Sequence, residues 1–266
     1  MFEELNLTIR GVKTHVLKGG SGPDLLFWHG AGGGGGWLPH HELLAEHFTV
    51  YAPDHPGWGG SDGPEWMDTI SDYVLHYDSL MRELDLKSPL LVGHSLGGWM
   101  AAEFAVAYPD RVKALALVNA AGFPFDNESA DLNNAESFFT ASARGGPEYA
   151  KLLFHDPEVA AGYFKGDPTP EDILRRYRDL TSTARIAWHT WFEPKLPRRL
   201  SRVATPTLVL WGAHDGFFPV SYAHCYADAI SGSTLLILGD CAHMTPFENP
   251  AALCRAVVEL YMSANS

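Results

Sequence analysis

The sequence is poor in cysteine and in positive charge. Its three cysteines, Cys225, Cys241 and Cys254, are odd in number and lie late in a chain of 266 residues. They therefore predict no disulfide framework and favour a reducing compartment. Lys and Arg number 19 against 32 Asp and Glu, which gives a formal charge of -13. Because an acidic surface repels phosphate groups, we expect neither nucleic acid nor an anionic membrane as a partner.

The sequence also lacks a long apolar run and a targeting segment. No apolar stretch is long enough to span a bilayer, so we expect no membrane anchor. Residues 1–4 contain neither a basic region nor an apolar run, which predicts that the chain has no secretory signal. Together with the cysteine usage, this predicts a cytoplasmic location. No pattern fixes the oligomeric state, and a homodimer stays open as an alternative.

Short apolar runs alternate with segments of helical periodicity along most of the chain. A hairpin around Arg10-Gly11 is expected from residues 5–9 and 12–17, at the edge of a sheet. Further strands are predicted over 24–28, 48–52, 89–92, 112–118, 207–211 and 234–238. Helices are predicted over 37–46, 69–86, 96–108, 222–230 and 250–262, with Thr69 or Ser71 capping the second and Asn249 the last. This alternation predicts an α/β fold with a mostly parallel, doubly wound sheet.

Residues 122–203 interrupt the alternation. They contain no convincing strand by periodicity, are rich in aromatic side chains, and are punctuated by prolines. We interpret them as an inserted helical cap. The predicted domains are therefore a core of residues 1–121 and 204–266 and a cap of residues 122–203.

The stretch from Gly93 to Gly97 joins a predicted buried strand directly to a predicted helix. So sharp a turn favours glycines on both sides, because a side chain there would separate strand and helix. Ser95 then lies at the tip of the turn with its hydroxyl exposed above the sheet edge. The helix N-terminus behind it offers backbone N–H groups and a positive dipole end, which suit an oxyanion.

Two further polar side chains follow later strands. Asp215 comes after the strand at 207–211 and His243 after the strand at 234–238. Because the carboxyl ends of parallel strands share one edge of a sheet, we expect Ser95, Asp215 and His243 to meet there. His243 would take the proton of Ser95, and Asp215 would orient and stabilise the imidazole.

Other residues compete for these roles. The position after the strand at 112–118 is Asn119, and Asp126 lies further on in the predicted cap; Asp240 precedes His243 too closely to orient it easily. Cys241 is a rival thiol nucleophile, although nothing around it forms a comparable turn.

The strand at 24–28 ends in His29-Gly30-Ala31, and glycines occupy positions 32–36. A flexible linker is one interpretation of this run. We favour a loop whose backbone passes close to a ligand or an oxyanion. The backbone N–H groups of Ala31 and Leu96 are the predicted donors of an oxyanion hole.

The remaining histidines invite a metal hypothesis that the spacing does not support. His40, His41 and His47 crowd one segment, but a second histidine at zinc-protease spacing is missing, so a solvated helix face is expected. His94 and His214 neighbour the predicted catalytic residues and are interpreted as packing or supporting groups. No motif indicates a metal, a phosphate or a dinucleotide, and no cofactor is predicted.

Several motifs in their order along the chain resemble those of the α/β-hydrolase superfamily. They are His29-Gly30, the run from Asp54 to Ser61, the Ser95 turn, Gly212-Ala213-His214-Asp215 and the run from His243 to Pro250. The resemblance spans nearly the whole chain outside the cap. It implies an α/β-hydrolase fold with an inserted helical cap and a Ser95–Asp215–His243 triad.

The resemblance also bears on which classes of hydrolase in the superfamily this chain could belong to. Epoxide hydrolases and haloalkane dehalogenases of similar layout have Asp where this chain has Ser95. Hydrolases of carbon–carbon bonds in ring-cleavage products commonly have Asn before the nucleophile and Trp after the histidine, where this chain has His94 and Met244. The interpretation of this chain as a carbon–carbon bond hydrolase is therefore weakened, but it stays open as an alternative.

We therefore predict a serine hydrolase that cleaves a small to medium, partly apolar carboxylic ester or lactone through an acyl-enzyme. Carbon–carbon bond hydrolysis and a slow-turnover ligand receptor on the same scaffold are the alternatives. An apolar substrate pocket is expected from six aromatic side chains, each of which could instead be simple core packing. They are Trp99, Trp188, Trp191, Phe192, Phe217 and Phe218.

Overall fold

A computed structural model describes residues 1–124, 135–164 and 166–265. The strands are β1 (Phe2–Ile9), β2 (Val12–Gly20), β3 (Asp24–Trp28), β4 (Thr49–Pro53), β5 (Leu90–His94), β6 (Ala114–Val118), β7 (Thr207–Gly212) and β8 (Thr234–Leu238). The helices are α1 (Pro39–Ala45), α2 (Ile70–Glu83), α3 (Leu96–Ala107), α4 (Ala135–Arg144), α5 (Gly146–Leu153), α6 (Pro157–Tyr163), α7 (Pro170–Ala187), α8 (Leu196–Leu200), α9 (Ser221–Ala229), α10 (Thr245–Glu248) and α11 (Pro250–Ser263). A short 3-10 helix, Pro109–Arg111, precedes β6.

The strands form one sheet in the order β1-β2-β4-β3-β5-β6-β7-β8. The hairpin β1–β2 and the pair β2–β4 are antiparallel, and the pairs from β3 onward are parallel. The strand order changes direction at β3, because β4 is added on one side of β3 and β5 on the other. The switch point therefore lies between β3 and β5. Open sheets of this kind hold their functional sites at such a switch point. The predicted doubly wound, mostly parallel sheet is confirmed.

Helix α3 is the central helix and is apolar on all sides except at Glu103, as expected of a helix inside a protein. Small residues let it approach the sheet closely. A Cβ on Gly97 would lie 2.3 Å from the carbonyl oxygen of Trp28, and one on Gly93 would lie 2.4 Å from that of Gly97. The glycines of the predicted turn are therefore required by the contact of the helix with β3 and β5.

The predicted apolar face of α2 is buried, including Tyr73, Tyr77 and Leu80. At its start, the Asp72 carboxylate accepts hydrogen bonds from the backbone and the hydroxyl of Thr69. At the start of α11, the Asn249 side chain accepts from the N–H of Ala252 at 3.0 Å. Of the two predicted caps for α2, the structure uses Thr69, and the predicted Asn249 cap is confirmed.

Between β6 and β7, the described residues form helices α4 to α8. Their one β-bridge pairs Gly122 with Phe192. These helices lie inside the range predicted as a cap, hereafter the cap segment (residues 122–203); its division from the core as a separate domain stays a prediction. Within the described residues, no helix has the length and apolar character needed to cross a membrane.

The expectation of a solvated histidine face on α1 is wrong for two of its three residues. His40 and His41 are each only 2% exposed, whereas His47 lies at the surface. The rings of both buried histidines pack on Phe27, at 4.7 and 4.9 Å between centroids. Burial lowers the pKa of His41 to about 3, so the ring is neutral and packs as an aromatic side chain.

Candidate active site

Ser95 occupies a strained turn between β5 and α3. Its φ of 53° lies in the left-handed region, which costs a non-glycine residue about 1–3 kcal/mol. Three backbone hydrogen bonds hold it there: its N–H donates to Val118, and its carbonyl accepts from Trp99 and Ala121. The strain is therefore maintained by the neighbouring strand β6 and the first turn of α3.

The three residues predicted as a triad come together. Ser95 Oγ lies 2.9 Å from Nε2 of His243, and Nδ1 of the same ring lies 2.9 Å from Oδ2 of Asp215. A carboxylate can only accept, so Nδ1 carries the proton and Nε2 accepts the hydrogen bond of the serine hydroxyl. This tautomer leaves His243 ready to receive the proton of Ser95.

The Asp215 carboxylate receives four hydrogen bonds. Oδ1 accepts from the backbone N–H groups of Phe217 and Phe218, both at 2.8 Å. Oδ2 accepts from His243 and from Nδ2 of Asn119, the latter at 2.8 Å. These donors stabilise the charged form and fix its orientation. Asn119 occupies the position after β6, the alternative position for an acid, and it supports Asp215, which follows the neighbouring strand β7.

His94 supports the loop that carries His243, between β8 and α10 (residues 239–244), hereafter the histidine loop. Its Nε2 donates to the carbonyl of His243 at 2.9 Å. Burial lowers its pKa to about 3, with a further contribution from His243, so His94 stays neutral. His94 thus anchors the backbone of the histidine loop. His214 lies at the surface, where its ring stacks on that of His155 at 3.9 Å.

Ala31 lies beside Ser95 because β3 and β5 are paired in parallel, with Trp28 opposite Gly93. The N–H of Ala31 shares a rigid peptide unit with the carbonyl of Gly30. That carbonyl accepts from Nδ1 of His29 at 2.7 Å and from the N–H of Gly33 at 3.1 Å. Leu96 is the first residue of α3, so its N–H has no partner within the helix. The donor function of these two N–H groups stays a prediction.

Buried histidines orient the residues before Ala31. His29 accepts the N–H of His55 at its Nε2, and His55 donates from Nε2 to the carbonyl of His29 at 2.8 Å. The second ring nitrogen of His55 accepts from the hydroxyl of Tyr77. Burial lowers the pKa of both histidines, so each ring keeps one donor and one acceptor.

The glycine run 32–36 makes close backbone contacts with protein carboxylates. A Cβ on Gly33 would lie 2.5 Å from Oδ2 of Asp179, and one on Gly34 would lie 2.8 Å from Oδ1 of Asp54. Gly33 also has a φ of +89°, which a side chain disfavours. The run is therefore a packed loop at these positions, with helix α7 of the cap segment against it.

A narrow cavity of about 20 Å³ lies over Ser95 and His243. Its other walls are the aromatic side chains of Phe138, Trp191, Phe217 and Phe218. On this measure the space holds about one water molecule. Sequence reasoning did not single out Phe138, because nothing in its periodicity distinguishes it from the other aromatic residues of the cap segment.

Three residues predicted for the pocket do not line this cavity. Trp188 is 55% exposed and packs on Phe139, with 5.2 Å between centroids. Trp99 is buried, and its ring occupies the space where a Cβ of Gly122 would lie. Phe192 is half-buried and forms the β-bridge with Gly122.

Glu248 ties the histidine loop to the cap segment. Its carboxylate accepts from the N–H groups of His155 and Asp156 on one side and from that of Ala242 on the other. The N–H of Met244 also donates to the carbonyl of Leu153 at 2.9 Å. The backbone around His243 is therefore anchored on both sides.

Cys241 is fully buried beside this loop. Burial, reinforced by Glu248 and Asp240, raises the pKa of its thiol to about 12. A thiol with so high a pKa is a weak nucleophile at neutral pH. Within residues 1–124, 135–164 and 166–265, no group of three or more His, Cys, Asp or Glu side chains is arranged to hold a metal ion. Asp126, the other rival acid, lies outside the described residues.

The comparisons with known proteins agree with this fold. A family model described as alpha/beta hydrolase fold matches residues 23–250. The chain is an alpha/beta hydrolase. An uncharacterized protein of Mycobacterium tuberculosis is 31% identical over 96% of this chain and 80% of its own length.

Two further similarities concern proteins whose names state an activity. The 2-hydroxy-6-oxo-6-(2'-aminophenyl)hexa-2,4-dienoic acid hydrolase of Metapseudomonas resinovorans is 27% identical over 93% of this chain and 87% of its own length. The structure of naproxen esterase from Bacillus subtilis superposes with a TM-score of 0.76 at 18% identity, covering 98% of this chain and 92% of that one. At 18% identity this superposition supports the fold alone, and the family rests on the match to residues 23–250.

Proposed function

We propose that this alpha/beta hydrolase is a serine esterase that cleaves a small, partly apolar carboxylic ester or lactone through an acyl-enzyme. The observation that carries the proposal is the continuous contact from Ser95 through His243 to Asp215, with both hydrogen bonds at 2.9 Å. A serine hydroxyl needs an adjacent base to attack a carbonyl at neutral pH.

The steps follow from these contacts. Ser95 Oγ attacks the ester carbonyl carbon while its proton passes to Nε2 of His243, and Asp215 stabilises the resulting imidazolium. The carbonyl oxygen becomes an oxyanion, which the N–H groups of Ala31 and Leu96 stabilise. The alcohol leaves with the proton of His243. A water molecule then gives a proton to His243 and attacks the acyl carbon. The bond from that carbon to Ser95 Oγ breaks, His243 returns the proton to Oγ, and the acid is released.

The size of the cavity favours a substrate with a small acyl group. Its walls are aromatic, and Ser95 and His243 are the polar residues among those that line it. With about 20 Å³ of space, an acyl chain enters by displacing an aromatic wall, and each added methylene needs a larger displacement. We therefore expect short-chain esters to be preferred over long-chain ones.

Carbon–carbon bond hydrolysis is the second candidate, favoured by the 27% identical dienoic acid hydrolase. The substrate that its name describes is an acid and is ionised at neutral pH. A buried carboxylate requires a cationic or multiply donating partner. The cavity of the present chain is lined by no Lys or Arg among the described residues. Because this lining offers no cationic partner for a substrate carboxylate, we favour an ester as the substrate.

The test is hydrolysis of p-nitrophenyl esters from acetate to dodecanoate by the wild type and by Ser95→Ala. We expect repeated turnover that is fastest with the shortest chains and is lost in Ser95→Ala. A 2-hydroxy-6-oxo-dienoate is assayed beside the esters. Turnover of the dienoate alone would contradict the esterase proposal in favour of carbon–carbon cleavage. Tight binding of esters without turnover would favour a receptor.

A further inference from the structure

Helix α7 contacts the residue whose N–H is assigned to the oxyanion hole. The Thr183 hydroxyl lies 3.1 Å from the carbonyl oxygen of Ala31 and 2.9 Å from that of Asp179, one turn earlier in its own helix. Trp58 donates its indole N–H to the same Ala31 carbonyl at 2.9 Å. Both Thr183 and Trp58 are fully buried, so solvent does not compete for these bonds.

The two peptide units on either side of Ala31 are thus held by different parts of the chain. The unit that contains the Ala31 N–H is held through the Gly30 carbonyl by His29 and Gly33. The unit that contains the Ala31 carbonyl is held by Trp58 and Thr183. Since each peptide unit is planar, fixing both units leaves Ala31 little freedom in φ or ψ.

Thr183 is in turn held by the docking of α7 on the core. The Ser182 hydroxyl donates to the carbonyl of Gly57 at 2.7 Å, and the Arg178 guanidinium donates to that of Gly59 at 3.0 Å. The Asp179 side chain packs against the backbone of Gly33, where a Cβ would lie 2.5 Å from Oδ2. The position of the Thr183 hydroxyl relative to Ala31 therefore depends on the seating of α7.

We propose that Thr183 of the cap segment is a positioning residue for the oxyanion hole, which couples the seating of α7 to the direction of the Ala31 N–H. The inference rests on the proposed function, in which that N–H stabilises the oxyanion. Thr183 does not line the cavity, so it acts through Ala31 and not on the substrate. Its loss should weaken transition-state stabilisation more than substrate binding.

The variant Thr183→Val keeps the shape of the side chain and removes its donor. A single hydrogen bond of this kind contributes modestly, so we expect kcat to fall about 3- to 10-fold with little change in KM. The inhibition constant of an alkyl boronic acid, which forms a tetrahedral adduct on the serine, should weaken by the same factor. Thr183→Ser restores the hydroxyl and should return both values to within about 2-fold of the wild type.

The matched control is Thr181→Val. Thr181 lies on the exposed side of α7, and its hydroxyl donates to the carbonyl of Tyr177 in its own helix at 2.8 Å. It makes the same type of bond within the helix as Thr183 and has no contact with Ala31. We expect its kinetics and its boronic acid inhibition to match the wild type. Equal behaviour of the two valine variants would overturn the proposal.

Hydrogen exchange separates this inference from the proposed function, because it needs no turnover. In Thr183→Val the peptide that covers residues 30–36 should exchange faster than in the wild type, Thr181→Val and Thr183→Ser. Unchanged exchange in that peptide would overturn the positioning role even if the wild type is an esterase. Faster exchange in a protein that hydrolyses no ester would leave the positioning of Ala31 standing and remove its assignment to ester hydrolysis.

Discussion

The two sides of Ser95 are built in different ways. On the acid–base side, the Asp215 carboxylate receives four hydrogen bonds from the core: two backbone N–H groups, Asn119 and His243. On the proposed oxyanion side, formed by the loop that carries Ala31, the buried Asp179 carboxylate lies beside Gly33. Among the residues that the structure describes, it accepts one long hydrogen bond, from the N–H of Gly59 at 3.3 Å. Burial raises the pKa of Asp179 to about 6, and the nearby Asp54 adds to this rise.

Asp215 is therefore a carboxylate whose charge is stabilised by its donors, whereas the charge of Asp179 lowers the stability of the fold. The charged form of Asp215 is compensated by its donors, so its negative charge is available to His243. The charged form of Asp179 is poorly compensated, and the helix that carries it also carries Thr183. The acid–base side therefore rests on the core sheet, whereas the proposed oxyanion side is in contact with α7 of the cap segment.

The largest expected effect is on the acid–base side. Asp215→Asn keeps the size of the side chain but removes the charge. Its amide can also donate to Nδ1 of His243, which favours the tautomer with the proton on Nε2 that cannot accept the proton of Ser95. Where an acid of this role has been made an amide, kcat falls by about 10⁴, and we expect a fall of about 10³–10⁴ here. The measurement is kcat/KM with a short p-nitrophenyl ester. Asp240 is exposed and lies on the loop after β8 that also carries His243, and Asp240→Asn should retain full activity. A similar loss in both variants would contradict the assigned role.

The donor to Asp215 should matter less than Asp215 itself. Asn119→Ala removes the hydrogen bond to Oδ2 and leaves the other three donors in place. A hydrogen bond to a charged group contributes about 1.5–3 kcal/mol, so we expect kcat to fall about 10- to 100-fold. Unchanged kcat would show that the backbone donors alone position the acid.

On the oxyanion side, removal of the charge should stabilise the fold. Because the folded-state pKa of Asp179 lies above the ordinary 3.8, the native state binds more protons between about pH 4 and pH 6. Stability is therefore lost as the pH rises through that interval, by up to about 3 kcal/mol. Asp179→Asn removes this cost, and we expect its free energy of unfolding to exceed that of the wild type by about 1–3 kcal/mol at pH 8.

The gain should shrink as the pH is lowered through this interval and disappear only below about pH 3, where Asp179 is protonated in both the folded and the unfolded state. Urea unfolding at several pH values measures this. The exposed Asp228 of α9 supplies the control, since Asp228→Asn should give no comparable gain. A pH-independent difference between Asp179→Asn and the wild type would contradict the electrostatic explanation.

The smallest effect is expected at Cys241, which lies beside the histidine loop but outside the contacts with Ser95. Cys241→Ala should leave kcat within about 2-fold of the wild type, since the substitution removes one small buried group. Iodoacetamide at neutral pH should leave the thiol unmodified, because its pKa is about 12. A large loss of activity on alkylation of Cys241 would revive the thiol as a nucleophile.

The acid–base side could be predicted from the sequence, because each of its residues follows a strand with a clear apolar pattern. The predicted strands at 24–28 and 234–238 have the same bounds in the structure. Parallel strands bring their carboxyl ends to one edge, so the meeting of Ser95, Asp215 and His243 follows from the topology alone. Asn119 could have been recognised from the same rule, since it follows β6.

The oxyanion side could not be predicted to the same depth. Thr183 and Ala31 are 152 residues apart, and no periodicity relates an inward position on α7 to the carbonyl that it meets. The walls of the cavity likewise depend on how the cap segment packs, which brings the half-buried Phe138 of α4 against Trp191 and leaves Trp188 exposed. The burial of His40 and His41 could not be predicted either, because a neutral imidazole packs like an aromatic ring and hydropathy scales treat histidine as polar.

The most direct test of the account is the site and rate of reaction with diethyl p-nitrophenyl phosphate, followed by intact mass and peptide mapping. The account predicts one adduct per chain on the peptide that contains Ser95, no adduct in Ser95→Ala, and a much slower reaction in Asp215→Asn. The account would be contradicted if the wild type stayed unmodified, if the adduct lay on another residue, or if Asp215→Asn reacted as fast as the wild type.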